Sequence, residues 1–151
     1  MTGPVEKPRL SDAEMLARFQ NSKKRPACSD TLGMHLAEVH QDEMRVVVEF
    51  TANESFANPT GAIQGGFIAA MLDEAISTNI IIASNVTMTA PTLEMKVSYL
   101  APLFVGKATV EAKILKFGKT VCFSEARCLT PDGKLVATAT ATAAPKPFKR
   151  F

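Results

Sequence analysis

The chain has 151 residues, of which 46% are hydrophobic and 21% are charged. This length suits one domain whose core is large enough to fold without disulfide bonds or metal ions, and the composition excludes a disordered chain. The net charge is only +2, with one Tyr and no Trp, so we expect no nucleic-acid partner. The three widely spaced Cys do not suit a disulfide framework, and no apolar signal segment opens the chain, so we expect a cytoplasmic protein.

We interpret residues 1–30 as a leader that contains one short helix. Ser11 and Glu14 have the spacing of a capping box, in which each side chain accepts a hydrogen bond from the backbone of the other residue. A helix is therefore predicted from this point to about Gln20. The stretch 21–30 is polar, basic and interrupted by a proline, which predicts a loop.

Two strands are predicted next, over 32–40 and 44–51, because β-branched and aromatic residues are enriched there. The intervening residues 41–43 suit a hairpin loop. His35 and His40 stand at opposite parity on the first strand, so they are expected to face opposite sides of the sheet. Since no cluster of further ligands accompanies them, we expect packing or surface roles for both and no metal site.

The only long helix candidate covers residues 64–83 and follows a turn cluster at 58–61. It is apolar nearly all round, which is typical of a helix enclosed by other elements. Its only charges, Asp73 and Glu74, lie near its centre, where each would cost about 2.5–3.5 kcal/mol in a membrane. We therefore expect the buried helix of a soluble domain and no membrane insertion.

The remainder of the chain alternates strands with tight turns. The predicted strands are 92–100, 107–115, 120–129 and 134–144. An antiparallel β-sheet wrapped around one long central helix satisfies this order, because that helix needs cover on most sides. The predicted fold class is therefore α+β, with a short N-terminal helix added. A basic tail over 145–151 is expected to fray.

Two adjacent glycines, Gly65 and Gly66, open the buried helix. Within a helix each would cost about 1 kcal/mol against Ala, so a close approach of the backbone to another group is expected there. The free N–H groups of a first helical turn can bind an anion or stabilise a developing oxyanion. Tight packing of the helix against the sheet explains the pair equally well.

Asp73 is the candidate carboxylate for chemistry, because a charge inside an otherwise apolar helix needs a partner, a route to solvent or a function. It differs from Glu74 by about 100° around the helix, so the two side chains face different ways. It lies eight residues beyond Gly65, or about 12 Å along the axis. Since a base and an oxyanion donor both contact the reacting group, a shared site would combine Gly65 of one subunit with Asp73 of a two-fold partner.

The turn and the helix together read NPTGAIQGGFIAAMLDEAIS. This stretch resembles the hotdog-fold acyl-CoA thioesterases of the phenylacetate-pathway (PaaI) type, whose pattern is an Asn, a short loop, Gly-x-x-His-Gly-Gly and a helix with Leu-x-Asp or a near variant. The matching positions are Asn58, Gly61, Gly65, Gly66 and Asp73. The later stretch TLEMKVSYLAPLFVGKATVEAKILKFGKTVCFSEARCLTPDGKLVATATATA is also similar to the family. The resemblance implies a hotdog thioesterase-like domain over residues 31–144.

The resemblance also implies the activity, hydrolysis of acyl-CoA thioesters without a metal ion or a separate cofactor, in a homodimer or a dimer-of-dimers homotetramer. Gly65, helped by Asn58, would polarise the thioester carbonyl. Asp73 of the neighbouring subunit would orient or deprotonate the attacking water, or attack the carbonyl itself. The residues expected to bind substrate are Gln64, Gly66, Thr92, Phe67, Met71, Lys116 and Lys119, of which Thr92 would lie near the water and the two lysines near the nucleotide of coenzyme A.

Gln64 departs from the family pattern, which has His at this position. An amide can donate and accept hydrogen bonds, but it cannot titrate near neutral pH. The departure leaves open a second hypothesis, a non-catalytic hotdog protein that binds or senses acyl-CoA. A third, a hydratase of enoyl thioesters, would need an Asp/His pair in a different local motif, and neither His35 nor His40 lies in one.

Overall fold

The computed structural model describes residues 8–148, and its first element confirms the predicted capping box. Helix α1 (Asp12–Gln20) begins where the Ser11 N–H donates to Glu14 Oε2 at 2.8 Å and the Glu14 N–H donates to Ser11 Oγ at 3.3 Å. Met15 of this helix is fully buried in the hydrophobic core. The helix that the sequence places in a leader therefore packs as part of the domain.

A second short helix corrects the loop predicted over 21–30. Residues Ala27–Thr31 form α2, which follows Pro26 at the N-cap position with φ −61°. Proline interrupts a helix only in its interior, because its missing N–H and fixed φ are tolerated at a helix start. Ser29 on this helix is buried, with 2% of its surface exposed.

Eight strands complete the secondary structure. They are β1 (His35–His40), β2 (Arg45–Ala52), β3 (Met88–Thr89), β4 (Thr92–Tyr99), β5 (Gly106–Phe117), β6 (Cys122–Leu129), β7 (Leu135–Ala143) and β8 (Lys146–Pro147). Six of them form one antiparallel sheet in the order β1-β2-β5-β6-β7-β4, and β3 pairs with β8 separately. The four strands predicted after the long helix, and the hairpin before it, are confirmed to within three residues.

Helix α3 (Gly65–Ala83) is the core helix, and the sheet wraps around it. Five strands of this sheet, β2, β4, β5, β6 and β7, contact it, and so does β3. By length and composition it is also the one helix within residues 8–148 that could cross a membrane, but half of its most apolar stretch is buried inside the protein. The predicted arrangement, an antiparallel sheet around one long central helix with a short N-terminal helix, is confirmed.

A β-bulge in β1 makes the prediction for its two histidines wrong. Leu36 pairs with Val48 while Glu38 pairs with Val47, so Ala37 is an extra residue in this strand. An extra residue reverses the alternation of faces beyond it. His35 and His40 therefore point to the same side of the sheet, and His40 Nε2 lies 2.8 Å from a carboxylate oxygen of Glu38.

The β3–β8 pair was not predicted. Its strands are two residues each, below the length at which a periodicity can be recognised. Lys146, which was expected in a frayed tail, pairs with Thr89, and the Phe148 N–H donates to the Thr87 carbonyl at 3.0 Å. Lys149 and Arg150, also assigned to that tail, lie outside the described residues.

Candidate active site

The side chain of Gln64, where the thioesterases that this sequence resembles have His, caps the N-terminus of α3. Gln64 Oε1 accepts a hydrogen bond from the Gly66 N–H at 2.8 Å. The Gly65 N–H is then the first of the free helical donors that the macrodipole makes attractive to negative charge. Gln64 thus orders the start of the helix and leaves one backbone donor available at Gly65.

Tyr99 explains why position 65 is a glycine. Its hydroxyl donates to the Gly65 carbonyl at 2.7 Å, and a Cβ at position 65 would lie 3.1 Å from its ring, which is closer than ordinary van der Waals contact. Tyr99 is the last residue of β4. The close approach expected from the glycine pair is therefore that of an aromatic side chain on a neighbouring strand.

Asp73 and Thr92 are brought together at the other end of β4. The Thr92 hydroxyl donates to Asp73 Oδ1 at 2.6 Å. A β-bulge makes this contact, because Thr92 pairs with Ala143 and Glu94 pairs with Thr142, which leaves Leu93 as an extra residue. Without the bulge, Thr92 would point to the outer face of the sheet, away from α3.

Glu74 faces a different part of the protein from Asp73, as the helical spacing predicts. Its carboxylate accepts a hydrogen bond from the buried Ser29 hydroxyl of α2. Asp73, in contrast, faces Thr92 on β4. Of the two central carboxylates, Asp73 is thus the one beside the edge strand.

The loop before α3 is closed by hydrogen bonds among its own residues. Asn58 Oδ1 accepts from the Thr60 N–H at 2.9 Å and from the Thr60 hydroxyl at 2.6 Å, and the Gly61 N–H donates to the Asn58 carbonyl at 2.9 Å. Gly61 has a φ of +82°, which glycine adopts without strain. The carboxamide oxygen of Asn58 is thereby occupied, and the part of this side chain left for a ligand is its NH₂ group.

Two predicted substrate-binding residues pack against the core, Phe67 half-buried and Met71 fully buried. Phe67 stacks on Phe56, with ring centroids 4.1 Å apart and an interplanar angle of 13°. Met71 is fully buried among the core residues. Both residues help to anchor α3 against the rest of the protein. Met71 has no exposed surface that a ligand could contact in this chain.

Lys116 and Lys119 lie at the Thr92 end of the sheet. A row of paired residues crosses four strands there, running from Thr92 through Ala143 and Cys122 to Phe117. Three strand spacings of about 4.8 Å put the β5–β6 turn, with its two exposed lysines, about 14 Å from Thr92. These lysines therefore share an end of the molecule with Asp73, and Gly65 lies at the other.

Strand β4 is an edge of the sheet, and its surroundings are unusually apolar. Leu93, Leu100, Phe104 and Val105 are each more than half exposed. An edge strand presents unpaired backbone groups, and a large exposed apolar patch beside it marks an interaction site. A depression of about 300 Å³ opens on the same side, lined in part by Gly65 and Tyr99.

The candidate residues of the described chain form two separate groups, here called half-sites. One half-site is Gly65 with Tyr99, and the other is Asp73 with Thr92; they stand at opposite ends of β4. Within residues 8–148 no group of three His, Cys, Asp or Glu is arranged to hold a metal ion. The groups available for catalysis are the backbone N–H of Gly65 at the N-terminus of α3 and the hydrogen-bonded carboxylate of Asp73.

Known proteins share this sequence and architecture. Residues 60–137 match the model of the thioesterase superfamily. A protein of Saccharolobus solfataricus named as an esterase is 33% identical over 102 residues, which are 67% of this chain and 71% of the relative. Mouse acyl-coenzyme A thioesterase 13 is 30% identical over 95 residues, which are 62% of this chain and 67% of that protein.

Solved structures agree with these sequence matches. A phenylacetic acid degradation-related protein of Ralstonia eutropha superposes with a TM-score of 0.79 at 30% identity, covering 86% of this chain and 98% of that one. The Escherichia coli PaaI protein, at 21% identity, has the same fold, with a TM-score of 0.70 over 78% of this chain and 87% of its own. The chain belongs to the thioesterase superfamily and has its hotdog fold.

Proposed function

We propose that this protein hydrolyses acyl-CoA thioesters to a free acid and coenzyme A, in sites that two subunits share. The observation that carries the proposal is the position of the two half-sites at opposite ends of one edge strand. Each subunit holds an oxyanion donor and a carboxylate that its own fold keeps apart. The relationship to mouse acyl-coenzyme A thioesterase 13 supports coenzyme A as the thiol.

A two-fold axis completes the site. If two copies pair antiparallel along β4 with the axis at Lys96, Met95 of one subunit lies opposite Val97 of the other. Thr92 then lies opposite Tyr99, because Leu93 is the extra residue of the bulge. Directly opposed residues of an antiparallel pair are about 5 Å apart at their Cβ atoms. The Asp73 half-site of each subunit then meets the Gly65 half-site of the other, and the backbone groups of both edges are paired.

The reaction follows from the groups assembled there. Asp73, oriented by Thr92, takes a proton from water, and the water oxygen attacks the thioester carbonyl carbon. The charge that develops on the carbonyl oxygen is stabilised by the Gly65 N–H, helped by the Asn58 NH₂ group. The tetrahedral intermediate then expels the coenzyme A thiolate, which takes up the proton, and the acid leaves. All of these roles are performed by the chain's own groups, with no metal or further cofactor required.

Other parts of the molecule complete the proposal. Lys116 and Lys119 suit the phosphates of coenzyme A, since both are exposed cations at the Asp73 end of the sheet.

Leu115 and Phe123 expose 56% and 46% of their surface on the outer face, which suits a second interface in a dimer of dimers. The core position of α3 is consistent with a cytoplasmic enzyme.

A panel of thioesters tests the activity. Short, medium, long and aryl acyl-CoAs are incubated with the protein, and free thiol is measured over time. The Cys28→Ser variant is used, because Cys28 is exposed and would react with the thiol reagent. Cys122 and Cys128 are buried, and burial raises the pKa of Cys128 to about 11, which keeps it unreactive. We expect hydrolysis of at least one member. Saturable binding with no thiol released over hours would instead establish the non-catalytic alternative.

Tyr99→Phe tests the positioning of the oxyanion donor. The substitution removes only the hydroxyl that holds the Gly65 carbonyl, and one such hydrogen bond contributes about 0.5–1.5 kcal/mol. We expect kcat to fall about two- to tenfold with KM little changed, because the donor acts on the transition state. Ser98→Ala, one residue earlier on β4, is the matched control and should leave both constants as they are. A rise in KM at constant kcat would show that Tyr99 binds substrate instead.

A further inference from the structure

The depression that opens at Gly65 has an uncharged, mainly apolar lining. It measures about 300 Å³ and lies between the start of α3, the loop before it and the segment that follows β4. Its lining includes Gly65, Ile63, Ile68, Tyr99, Ala101 and Leu103. Among the described residues that line it there is no Asp, Glu, Lys, Arg or His. A surface of this composition binds a hydrocarbon group better than a charged one.

Three branched aliphatic side chains close the bottom of this depression. Ile63, Ile68 and Leu103 are only 4%, 3% and 2% exposed, and all three belong to the hydrophobic core. Tyr99, in contrast, is 51% exposed and lies at the rim. Because a packed core resists changes of volume, these side chains cannot retreat before a longer ligand. The depression therefore has a fixed depth.

Polar groups beside this floor already have partners within the protein. The Ile63 N–H donates to the Leu103 carbonyl at 2.8 Å, and the Tyr99 hydroxyl donates to the Gly65 carbonyl at 2.7 Å. A carboxylate at the end of an acyl chain would exchange its hydrogen bonds with water for contact with apolar side chains. Such an exchange is unfavourable, so the floor discriminates against a charged chain end.

The proposed dimer directs the two arms of a thioester to different subunits. Lys116 and Lys119, proposed to bind the phosphates of coenzyme A, lie on the subunit that supplies Asp73. They stand about 14 Å from Thr92 across that subunit's own sheet, away from the interface. The sulfur and the acyl chain leave the carbonyl carbon in different directions. With the sulfur arm on this subunit, the acyl chain meets the other subunit, whose depression begins at Gly65 itself.

We propose that the Gly65 depression binds the acyl group, and that Ile68 at its floor sets the longest hydrocarbon chain that fits. The inference rests on the proposed thioesterase function and names what determines its chain-length specificity. Ile68 lies three residues after Gly65, so its side chain is on the same side of α3, one turn further along. A methylene group is similar in size to a water molecule, which takes about 30 Å³, so the depression admits a chain of about ten carbons.

Straight-chain esters of increasing length test the limit, from butanoyl-CoA through hexanoyl-, octanoyl-, decanoyl- and dodecanoyl-CoA to hexadecanoyl-CoA. We expect kcat/KM to rise about two- to fourfold for each added methylene up to about ten carbons, and then to stop rising. Adipoyl-CoA has the length of hexanoyl-CoA but ends in a carboxylate, and it should be at least about tenfold poorer. A profile that is flat, or that still rises at hexadecanoyl-CoA, would overturn the inference, as would equal values for adipoyl- and hexanoyl-CoA.

Substitution of Ile68 connects the limit to the floor. Ile68→Ala deepens the depression, so the ratio of kcat/KM for dodecanoyl-CoA to that for decanoyl-CoA should rise at least about threefold. Ile68→Val removes a single methylene and should shift the ratio in the same direction by less, which keeps the test available if Ile68→Ala does not fold. Ile80→Ala is the matched control, because Ile80 is a buried isoleucine of the same helix that does not line the depression. Its ratio should stay within about twofold of wild type.

A larger side chain in the lining should have the opposite effect. Ala101 is half-buried, and Ala101→Leu would fill part of the depression. The ratio of kcat/KM for decanoyl-CoA to that for hexanoyl-CoA should then fall at least about threefold. If Ile68→Ala and Ala101→Leu each change kcat/KM by the same factor for all chain lengths, the depression does not hold the acyl chain and the assignment is wrong.

Failure of the wider proposal gives a different result. If wild type hydrolyses no ester of this series or of the broader panel, the thioesterase function is wrong. Calorimetric titration of the same esters then still tests the depression. Affinity that rises to about ten carbons, with dodecanoyl-CoA gaining in Ile68→Ala, supports the assignment. Affinity that is independent of chain length contradicts it.

Discussion

Asp73→Asn should lower kcat for thioester hydrolysis by about 10²–10⁴-fold, the range for loss of a general base. Asn is nearly the same size and can still accept the hydrogen bond that Thr92 donates at 2.6 Å. It cannot take a proton from water, so substrate binding should persist while turnover is lost. The measurement is kcat and KM on the best ester of the panel, with circular dichroism to show that the fold is intact.

The control for this substitution is an exposed carboxylate on the sheet, away from Asp73. Glu125→Gln lies on β6 with its side chain exposed, and it should change kcat by less than a factor of two. If Asp73→Asn keeps the wild-type rate in a folded protein, Asp73 has no part in the reaction. Glu74 would then be the remaining carboxylate at the centre of α3.

Isotope incorporation separates the two roles that Asp73 can take. In a single turnover in H₂¹⁸O, a water-addition mechanism puts the label in the released acid and leaves the protein unlabelled. Direct attack by the carboxylate forms an acyl–aspartyl anhydride, and its hydrolysis at the Asp73 carbonyl puts the label into the protein. Mass spectrometry of the peptide that contains Asp73 distinguishes the two.

The main elements were predictable because their signals are local and strong. Ser11 and Glu14 define the start of α1 through neighbouring hydrogen bonds, and the long apolar stretch after Gln64 defines α3. The four later strands alternate regularly and are separated by turn residues. In each case the residues that define the helix or strand are close together in the sequence, so the sequence alone predicts the element.

The bulges could not be predicted, and one of them determines the candidate site. The sequence TLEMKVSY alternates regularly from Leu93 to Tyr99, and that alternation places Thr92 on the same outer face as Glu94. The extra residue in β4 turns Thr92 towards Asp73 instead. Only the pairing partner, β7, reveals that one residue is unpaired. Thr92 was therefore named from the family resemblance alone, and its contact with Asp73 could not be predicted from the sequence.

Long-range contacts account for the other omissions. Tyr99 lies 34 residues from Gly65, and Ser29 lies 45 residues from Glu74, so nothing in the local sequence of either pair indicates the contact. Met71 was expected to bind substrate, yet it is fully buried among the core residues. Helical position gives the spacing of side chains along α3, but which face meets the sheet depends on the finished fold.

Mixed dimers of two inactive variants should recover activity, and this is the sharpest test of a shared site. The first variant is Gly65→Pro, which removes the N–H. Proline is tolerated at the first position of a helix, and Gln64, with ψ 136°, already has the conformation that precedes proline. The second variant is Asp73→Asn. Each homodimer lacks one essential group in both of its sites, so each should be inactive on its own.

Gly65→Ala separates the lost donor from added bulk. Its Cβ would approach the Tyr99 ring to 3.1 Å, and it keeps the N–H. We expect it to retain much more activity than Gly65→Pro. If both variants lose activity equally, the contact with Tyr99 is what matters at this position, and another oxyanion-defective variant is then needed for the mixing experiment.

In a heterodimer the two sites differ. One combines the altered Gly65 with the altered Asp73, and the other combines an intact Gly65 from one subunit with an intact Asp73 from its partner. Co-expression with two different affinity tags isolates this species. It should have about half the wild-type kcat per dimer, because one of its two symmetry-related sites is complete. If instead Gly65 and Asp73 of the same subunit act together, neither site of the heterodimer is complete and the mixed protein stays inactive. Recovery therefore requires a site built across the interface, where the edge strand β4 has its two half-sites at opposite ends.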